Sequence, residues 1–446
     1  PRRPGAVGAV RAEAPWTRTS TTSRRSCGVE GSADVAGRAS VPALVERHRL
    51  AARLGAAVAA LDPAPATPCA VVDLDAFDTN AADLVARAAG TPIRVASKSL
   101  RVPALVERAL ARDGFAGVLG YTLREALWLV DQGISDDVVV AYPTVDRPAL
   151  RRLTSSPSAA GAVTIMVDDV AHLDVVDSVR SSKAVPVRVA IDVDAGLQAP
   201  GGVHVGPKRS PLRTPAATLE VARAVVERPG FVLVGVMTYE GQVAGVPDRV
   251  PGQAPRMAVV RRIKQASVAQ LRERRAAVAA GIAELADLSF FNAGGSGSIA
   301  ESAADPTVTE VTAGSGLLVP GLFDHYRSFT PRPAAYVGLP VTRRPGPGVA
   351  TVHGGGYTAS GPAGPDRQVI PWAPPGLELT GLEAAGEVQT PLVGPGADLL
   401  RIGELVWFRH AKSGELFEHT DVAHLLAGDR IAETVVTYRG AGQAFG

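Results

Sequence analysis

The sequence predicts an α/β protein, a (β/α)8 barrel of the TIM type followed by a C-terminal all-β domain. Short runs rich in Val, Ile, Leu and Ala alternate with helical patterns eight times after a first strand. A parallel sheet needs that order, because each strand must be followed by a crossover before the next can pair with it. Beyond Thr330-Pro331 the helical periodicity stops, and β-like pieces alternate with turns such as Arg344-Pro345-Gly346-Pro347-Gly348. The 446 residues leave room for one large barrel and a smaller domain.

In chain order, residues 1–40 stand apart. They carry seven arginines against three acids, with Ser, Thr, Gly and Ala and no apolar periodicity, and read as a disordered tail. Residues 41–330 form the expected barrel domain with an N-terminal helix and strand, and residues 331–446 the β domain. Leu44, Val45, Leu50, Leu54, Val58 and Leu61 fall at helical spacing before Asp62-Pro63. Thr67-Pro68 then launches a first strand, Cys69 to Leu74, with a helix from Asp75 to Ala89. The eight barrel strands are expected at 93–97, 116–120, 138–141, 163–167, 187–194, 232–238, 288–292 and 308–312. The clearest helices between them lie at 103–112, 123–132, 218–227 and 257–285. In the β domain, strands are expected at 335–342, 349–353, 377–382, 405–408 and 433–438.

Composition narrows the function. A net charge of +2 calls for neither nucleic acid nor an anionic membrane. Two cysteines, Cys27 and Cys69, make no disulfide framework or cysteine metal cluster, and no apolar run reaches the ~18 residues of a membrane span. A cytoplasmic protein is the expectation.

The most informative stretch is Pro92-Ile93-Arg94-Val95-Ala96-Ser97-Lys98-Ser99. A lysine at the C-terminal end of a buried barrel strand is expected to lose solvation, which lowers its pKa and makes the amine nucleophilic. Such an amine suits Schiff-base chemistry. A strand-end lysine that merely reaches solvent would give the same pattern. Two further stretches favour chemistry. Asn292-Ala293-Gly294-Gly295-Ser296-Gly297-Ser298 follows the seventh strand and Ala313-Gly314-Ser315-Gly316 the eighth, where barrels bind phosphate. Glycines let backbone N–H groups approach a phosphate, and serine hydroxyls add donors.

Several motifs in consistent order carry a family resemblance. Pro68 to Asp75, Ala96-Ser97-Lys98 and Asn292 to Gly297 resemble fold-type III pyridoxal-phosphate enzymes, the group of alanine racemase, D-threonine aldolase and D-serine dehydratase. Met237-Thr238-Tyr239-Glu240-Gly241 and Thr309 to Ser315 are similar to elements of the D-threonine aldolase and D-serine dehydratase branch, and the set also resembles an amino acid deaminase/aldolase subgroup. The resemblance spans about residues 65–445. It implies that Lys98 carries pyridoxal 5'-phosphate as an internal aldimine and later moves protons at the substrate α-carbon. Asn292, Gly294, Gly295, Ser296, Gly297, Gly314 and Ser315 would then hold the cofactor, chiefly its phosphate, with Tyr239 near its ring. Asp194-Ala195-Gly196 matches the family's turn after the middle strand. The arginine that follows it in the family has no counterpart in register, which leaves Arg209 as a substitute.

Relatives in that branch carry His-x-Cys or His-x-Asp near the C-terminus to bind a divalent metal. This chain has Phe408-Arg409-His410-Ala411-Lys412, and a protonated lysine is not a metal ligand. A resident metal is therefore doubtful, unless Glu415, Glu418 and His419 rebuild a site around His410. Lys412 would instead supply positive charge to a substrate carboxylate or a departing hydroxyl. His353 and Tyr357, in Val352-His353-Gly354-Gly355-Gly356-Tyr357, are candidates for an acid/base on the opposite face. The implied function is a lyase acting on a small β-hydroxy D-amino acid, by deamination or aldol cleavage. The alternatives are a metal-free racemase using Lys98 with Tyr357 or His353, and a pyridoxal-phosphate binding protein without turnover. A homodimer is implied by the same resemblance.

Overall fold

The computed structural model describes residues 41–330 and 332–446; the tail expected over residues 1–40 lies outside the described residues. The strands run β1 (Cys69–Asp73), β2 (Ile93–Ala96), β3 (Phe115–Gly120), β4 (Val138–Pro143), β5 (Val163–Val167) and β6 (Val187–Asp192). A small antiparallel hairpin, β7 (Leu197–Ala199) and β8 (Val203–Val205), precedes β9 (Phe231–Thr238), β10 (Phe290–Ala293) and β11 (Glu310–Ala313). Strands β2–β6 and β9–β11 close a barrel in the order β10-β11-β2-β3-β4-β5-β6-β9, every pair parallel. All eight expected strands are present, with ends shifted by a residue or two.

Alternation along these strands sorts their side chains. Val138, Val140, Ile165, Val167, Val189 and Ile191 join the core beneath the helices, whereas Val139, Met166 and Ala190 cluster separately with Val234, Met237 and Phe290. That second set fills the barrel interior, as the fold requires. Helices return along the outside, and several of their starts carry a side-chain cap. Asp73, Thr122, Asp146, Asp169 and Thr214 each accept a hydrogen bond from a backbone N–H in the first helical turn.

The C-terminal strands are β12 (Ala335–Gly346), β13 (Val349–His353), β14 (Ile370–Ala373), β15 (Glu378–Leu379), β16 (Gln389–Val393), β17 (Leu405–Arg409), β18 (Val422–Ala427) and β19 (Arg430–Val436). With β1 they make a nine-stranded sheet. β1 lies inside it, antiparallel to β12 and parallel to β18. The N-terminal helix (Val41–Ala59) packs there too, through Leu54, Ala57 and Val58 against Val71, Tyr336 and Trp407. Strand and helix therefore belong to the second sheet in space, although they precede the barrel in sequence.

The last residues tie the sheet to the barrel. The Tyr438 N–H donates to the Arg101 carbonyl at 2.9 Å, its hydroxyl donates to Glu125 at 2.9 Å, and its ring meets Trp128 edge-on at 5.3 Å. These contacts fall just beyond the turn that carries Lys98. No helix among the described residues is long and apolar enough to cross a membrane.

Candidate active site

β2 ends at Ala96, and Ser97–Ser99 form one 3-10 turn. This corrects the expectation for Lys98. The strand stops two residues before it, and its side chain is exposed to a cavity of about 300 Å³ at the C-terminal mouth of the barrel. Solvation is thus not lost through burial. The Lys98 ammonium donates to the Tyr142 hydroxyl at 3.2 Å, with the nitrogen 5.7 Å from that ring's centroid. Tyr142 comes from the end of β4 and had no role in the sequence reading.

One side of the cavity is built of hydroxyls and close-packed backbone. Ser99 and Ser315 lie 3.1 Å apart, oxygen to oxygen, and Ser315 also hydrogen-bonds Ser413 from the second domain. Ser296 joins the two glycine-rich loops, its hydroxyl accepting from the Gly316 N–H at 2.9 Å and the Gly314 N–H at 3.4 Å. A Cβ at Gly314 would sit 2.6 Å from the Ala96 carbonyl oxygen, so only glycine lets this loop lie against the end of β2. Gly294, Gly295, Ser296, Gly314 and Ser315 line the cavity. Gly297 does not.

Beneath these loops lies a brace that sequence reasoning missed. Glu240 is 1% exposed, and its carboxylate accepts from the Gly294 N–H at 3.3 Å, the Ser298 hydroxyl at 2.7 Å and the Ser302 hydroxyl. Arg275, from the long helix Ala254–Ala283, pairs with it at 2.8 Å and with Asp305 at 3.2 Å. Asn292 also lines the cavity, but its amide is engaged, donating to Glu310 at 2.8 Å and to Thr312 at 2.9 Å. Glu310 in turn takes both nitrogens of a fork from Arg94 at 2.8 Å each. Buried carboxylates of this kind are tolerated because every one is paired. The Tyr-Glu-Gly motif was the available signal, yet nothing in it says where the glutamate points.

Across the cavity stand Tyr239 and Arg209. Burial is the main force pushing the Tyr239 phenol up to about 12, Glu240 adds to it, and Arg209 opposes it. The Arg209 guanidinium lies 5.6 Å from the centroid of the Tyr142 ring and 5.8 Å from that of Tyr239. Nearby, burial and the Asp168 charge push the Asp192 carboxyl up to about 7 against the pull of Arg209. Asp194, in the matched turn, accepts from the Gly196 N–H at 2.8 Å and meets His204 Nε2 at 2.9 Å.

The C-terminal candidates separate. Lys412 and Ser413 line the cavity. His410 is buried, does not line it, and neither ring nitrogen has a hydrogen-bond partner among the described residues. Burial, helped by neighbouring Arg409, pushes its pKa down to about 3. His353 is exposed and Tyr357 is stacked on His419 at 4.2 Å; neither lines the cavity of its own chain. The rebuilt metal site does not form. Glu415 accepts from the Ser360 N–H at 3.0 Å, Glu418 pairs with Arg101 at 2.6 Å, and His419 faces Tyr357. Among the described residues no three His, Cys, Asp or Glu side chains converge as a metal would need.

Among the described residues, the charged groups lining the cavity are Lys98, Arg209 and Lys412, and no carboxylate lines it. An amine, a hydroxyl cluster on a Gly-lined wall and a cationic interior fit pyridoxal phosphate.

The model of the alanine racemase N-terminal domain matches residues 72–319. The chain belongs to that family. Members of the family typically use pyridoxal phosphate, and the chain is an alanine racemase-like protein of fold type III. Among solved structures it is similar in fold to D-threonine aldolase from Filomicrobium marinum, at 21% identity and a TM-score of 0.68 over 84% of this chain and 95% of that one. It is similar to D-threo-3-hydroxyaspartate dehydratase from Delftia sp. HT23, at 21% identity and a TM-score of 0.62 over 84% and 97%. An alanine racemase from Bacillus anthracis matches at 15% identity and a TM-score of 0.54 over 84% and 98%. No curated protein matches the chain by sequence.

Proposed function

We propose that the protein is a pyridoxal-phosphate-dependent lyase that deaminates or cleaves a small β-hydroxy D-amino acid. The observation that carries this is the Lys98 amine opening onto a cavity walled by the Ser99, Ser315 and Ser413 hydroxyls and the two glycine-rich loops. Bound there, the cofactor would supply an electron sink for charge developing at the substrate α-carbon.

The chain's own groups have separable tasks. Lys98 would hold the cofactor, and its Nζ is the base placed to take or return a proton at the α-carbon. The Tyr142 hydroxyl, 3.2 Å away, orients that amine and can pass its proton onward. Tyr239 stays protonated at neutral pH and presents a neutral phenol to the site. Leu322, Phe323 and Tyr326 add apolar surface to the lining. Two similar structures bear names of enzymes whose substrates are β-hydroxy D-amino acids, D-threonine and D-threo-3-hydroxyaspartate; this supports the substrate class. The homodimer belongs to the same proposal, supported by His353 being exposed and away from the cavity of its own chain.

The test is a product assay on protein loaded with pyridoxal phosphate. D-Serine should yield pyruvate and ammonia, or D-threonine glycine and acetaldehyde. An amino acid that merely changes hand, with neither ammonia nor aldehyde released, would make the protein a racemase instead.

A further inference from the structure

Lys412 occupies an unusual position for a surface-domain lysine. It follows β17 in the second domain yet lines the barrel cavity together with Lys98. Its loop is held there at two points. Ser413 hydrogen-bonds Ser315, and Gly414, at φ +58°, lies so close to the Lys98 turn that a Cβ would overlap the Lys98 carbonyl oxygen.

The Lys412 ammonium donates to Ser360 twice, to the carbonyl at 3.1 Å and the hydroxyl at 2.7 Å. An ammonium has three N–H bonds, so one is left for a ligand. Among the described residues no carboxylate oxygen comes within ion-pair distance, and Glu415 instead accepts from the Ser360 N–H. Burial, Lys98 and Arg367 all oppose the charge on Lys412, while Glu415 supports it. Two lysines sharing a cavity without an acid between them form a receptor for an anion. The hydroxyl cluster already suits a phosphate, so the remaining anion is the one every amino acid brings.

Resting on the function proposed above, we propose that Lys412 is a carboxylate anchor that holds the α-carboxylate of the substrate and so places its α-carbon beside Lys98. The free N–H, the position next to the Lys98 turn and the absence of a competing acid on the lining all point to that group.

The test has two arms. In the first, protein loaded with pyridoxal phosphate is titrated with D-serine and D-threonine and followed by absorbance. Lys412→Gln should weaken binding about tenfold or more, the size expected for losing a charge-assisted hydrogen bond. Lys412→Arg should keep most of the affinity. Ethanolamine, which is serine without its carboxylate, should bind the wild type and K412Q alike. Equal amino-acid affinity in wild type and K412Q, an equal loss for ethanolamine, or no binding of either amino acid to the loaded wild type overturns the anchor.

In the second arm, malonate is titrated by calorimetry into cofactor-free protein. It should bind the wild type and bind K412Q more weakly; equal binding, or none to the wild type, overturns the anchor. If pyridoxal phosphate fails to load on Lys98 while malonate binding still depends on Lys412, the proposed function falls and the carboxylate anchor stands.

Discussion

At the scale of single residues, the cavity wall is braced by a carboxylate that does not itself line the cavity. Glu240 gathers Gly294, Ser298, Ser302 and Arg275 beneath the cavity wall. Removing it leaves a guanidinium only 3% exposed with Asp305 as its one remaining carboxylate among the described residues. Glu240→Ala should cost about 3–5 kcal/mol of stability, read by urea unfolding, and should weaken pyridoxal phosphate binding by loosening the Gly294 loop. Unchanged stability would show that Arg275 finds full compensation in Asp305 and in the Thr238 hydroxyl, to which its Nε donates at 2.8 Å. Lys98 was legible because a lone lysine after an apolar strand is conspicuous, but its surroundings were not. Burial was inferred from the strand, and the strand ends at Ala96. Lys412 was legible only as a departure from a motif. Nothing local in the sequence could show that its loop reaches across to Ser315 and Lys98.

The elements that carry the site are two short loops after β10 and β11, and their shape is set by contact distances. Gly314→Ala places a methyl group against the Ala96 carbonyl, 2.6 Å from the ideal Cβ. The loop must move, taking Ser315 with it. Affinity for pyridoxal phosphate, measured by spectroscopic titration, should fall at least several-fold, and thermal stability should fall with it, because Gly314 is buried against Ala96 and Ser99. The barrel strands were readable because parallel strands buried on both faces appear as short continuous apolar runs between helices. The second sheet was harder. β14 and β16 contain Pro371 and Pro391, which argue against a strand when read locally, and β18 is a short apolar run that periodicity cannot assign. The place of β1 is a matter of long-range pairing, with partners more than 260 residues away.

Over the whole molecule, barrel and sheet are coupled through Tyr438 and Glu125. Burial pushes the Glu125 carboxyl up to about 7, although hydrogen bonds involving Ser97, Tyr121, Tyr438 and Thr122 oppose the shift. The folded protein therefore holds this proton more tightly than the unfolded chain. The associated stability is present below the ordinary value of 4.5 and is lost as pH rises toward about 7. Glu125→Gln should flatten that part of the pH–stability curve relative to the wild type, as followed by thermal unfolding from pH 4 to 8. A parallel curve would show that Glu125 titrates normally. This coupling lies one turn from Lys98, so the second domain both brings Lys412 and Ser413 to the cavity and steadies the turn that carries Lys98. The most direct test of the account is borohydride reduction of the protein incubated with pyridoxal phosphate, followed by peptide mapping. The expected result is a visible absorbance band that vanishes on reduction, a single pyridoxyl label on Lys98, and neither in Lys98→Ala. A label spread over surface lysines, or a band that survives in Lys98→Ala, would contradict it.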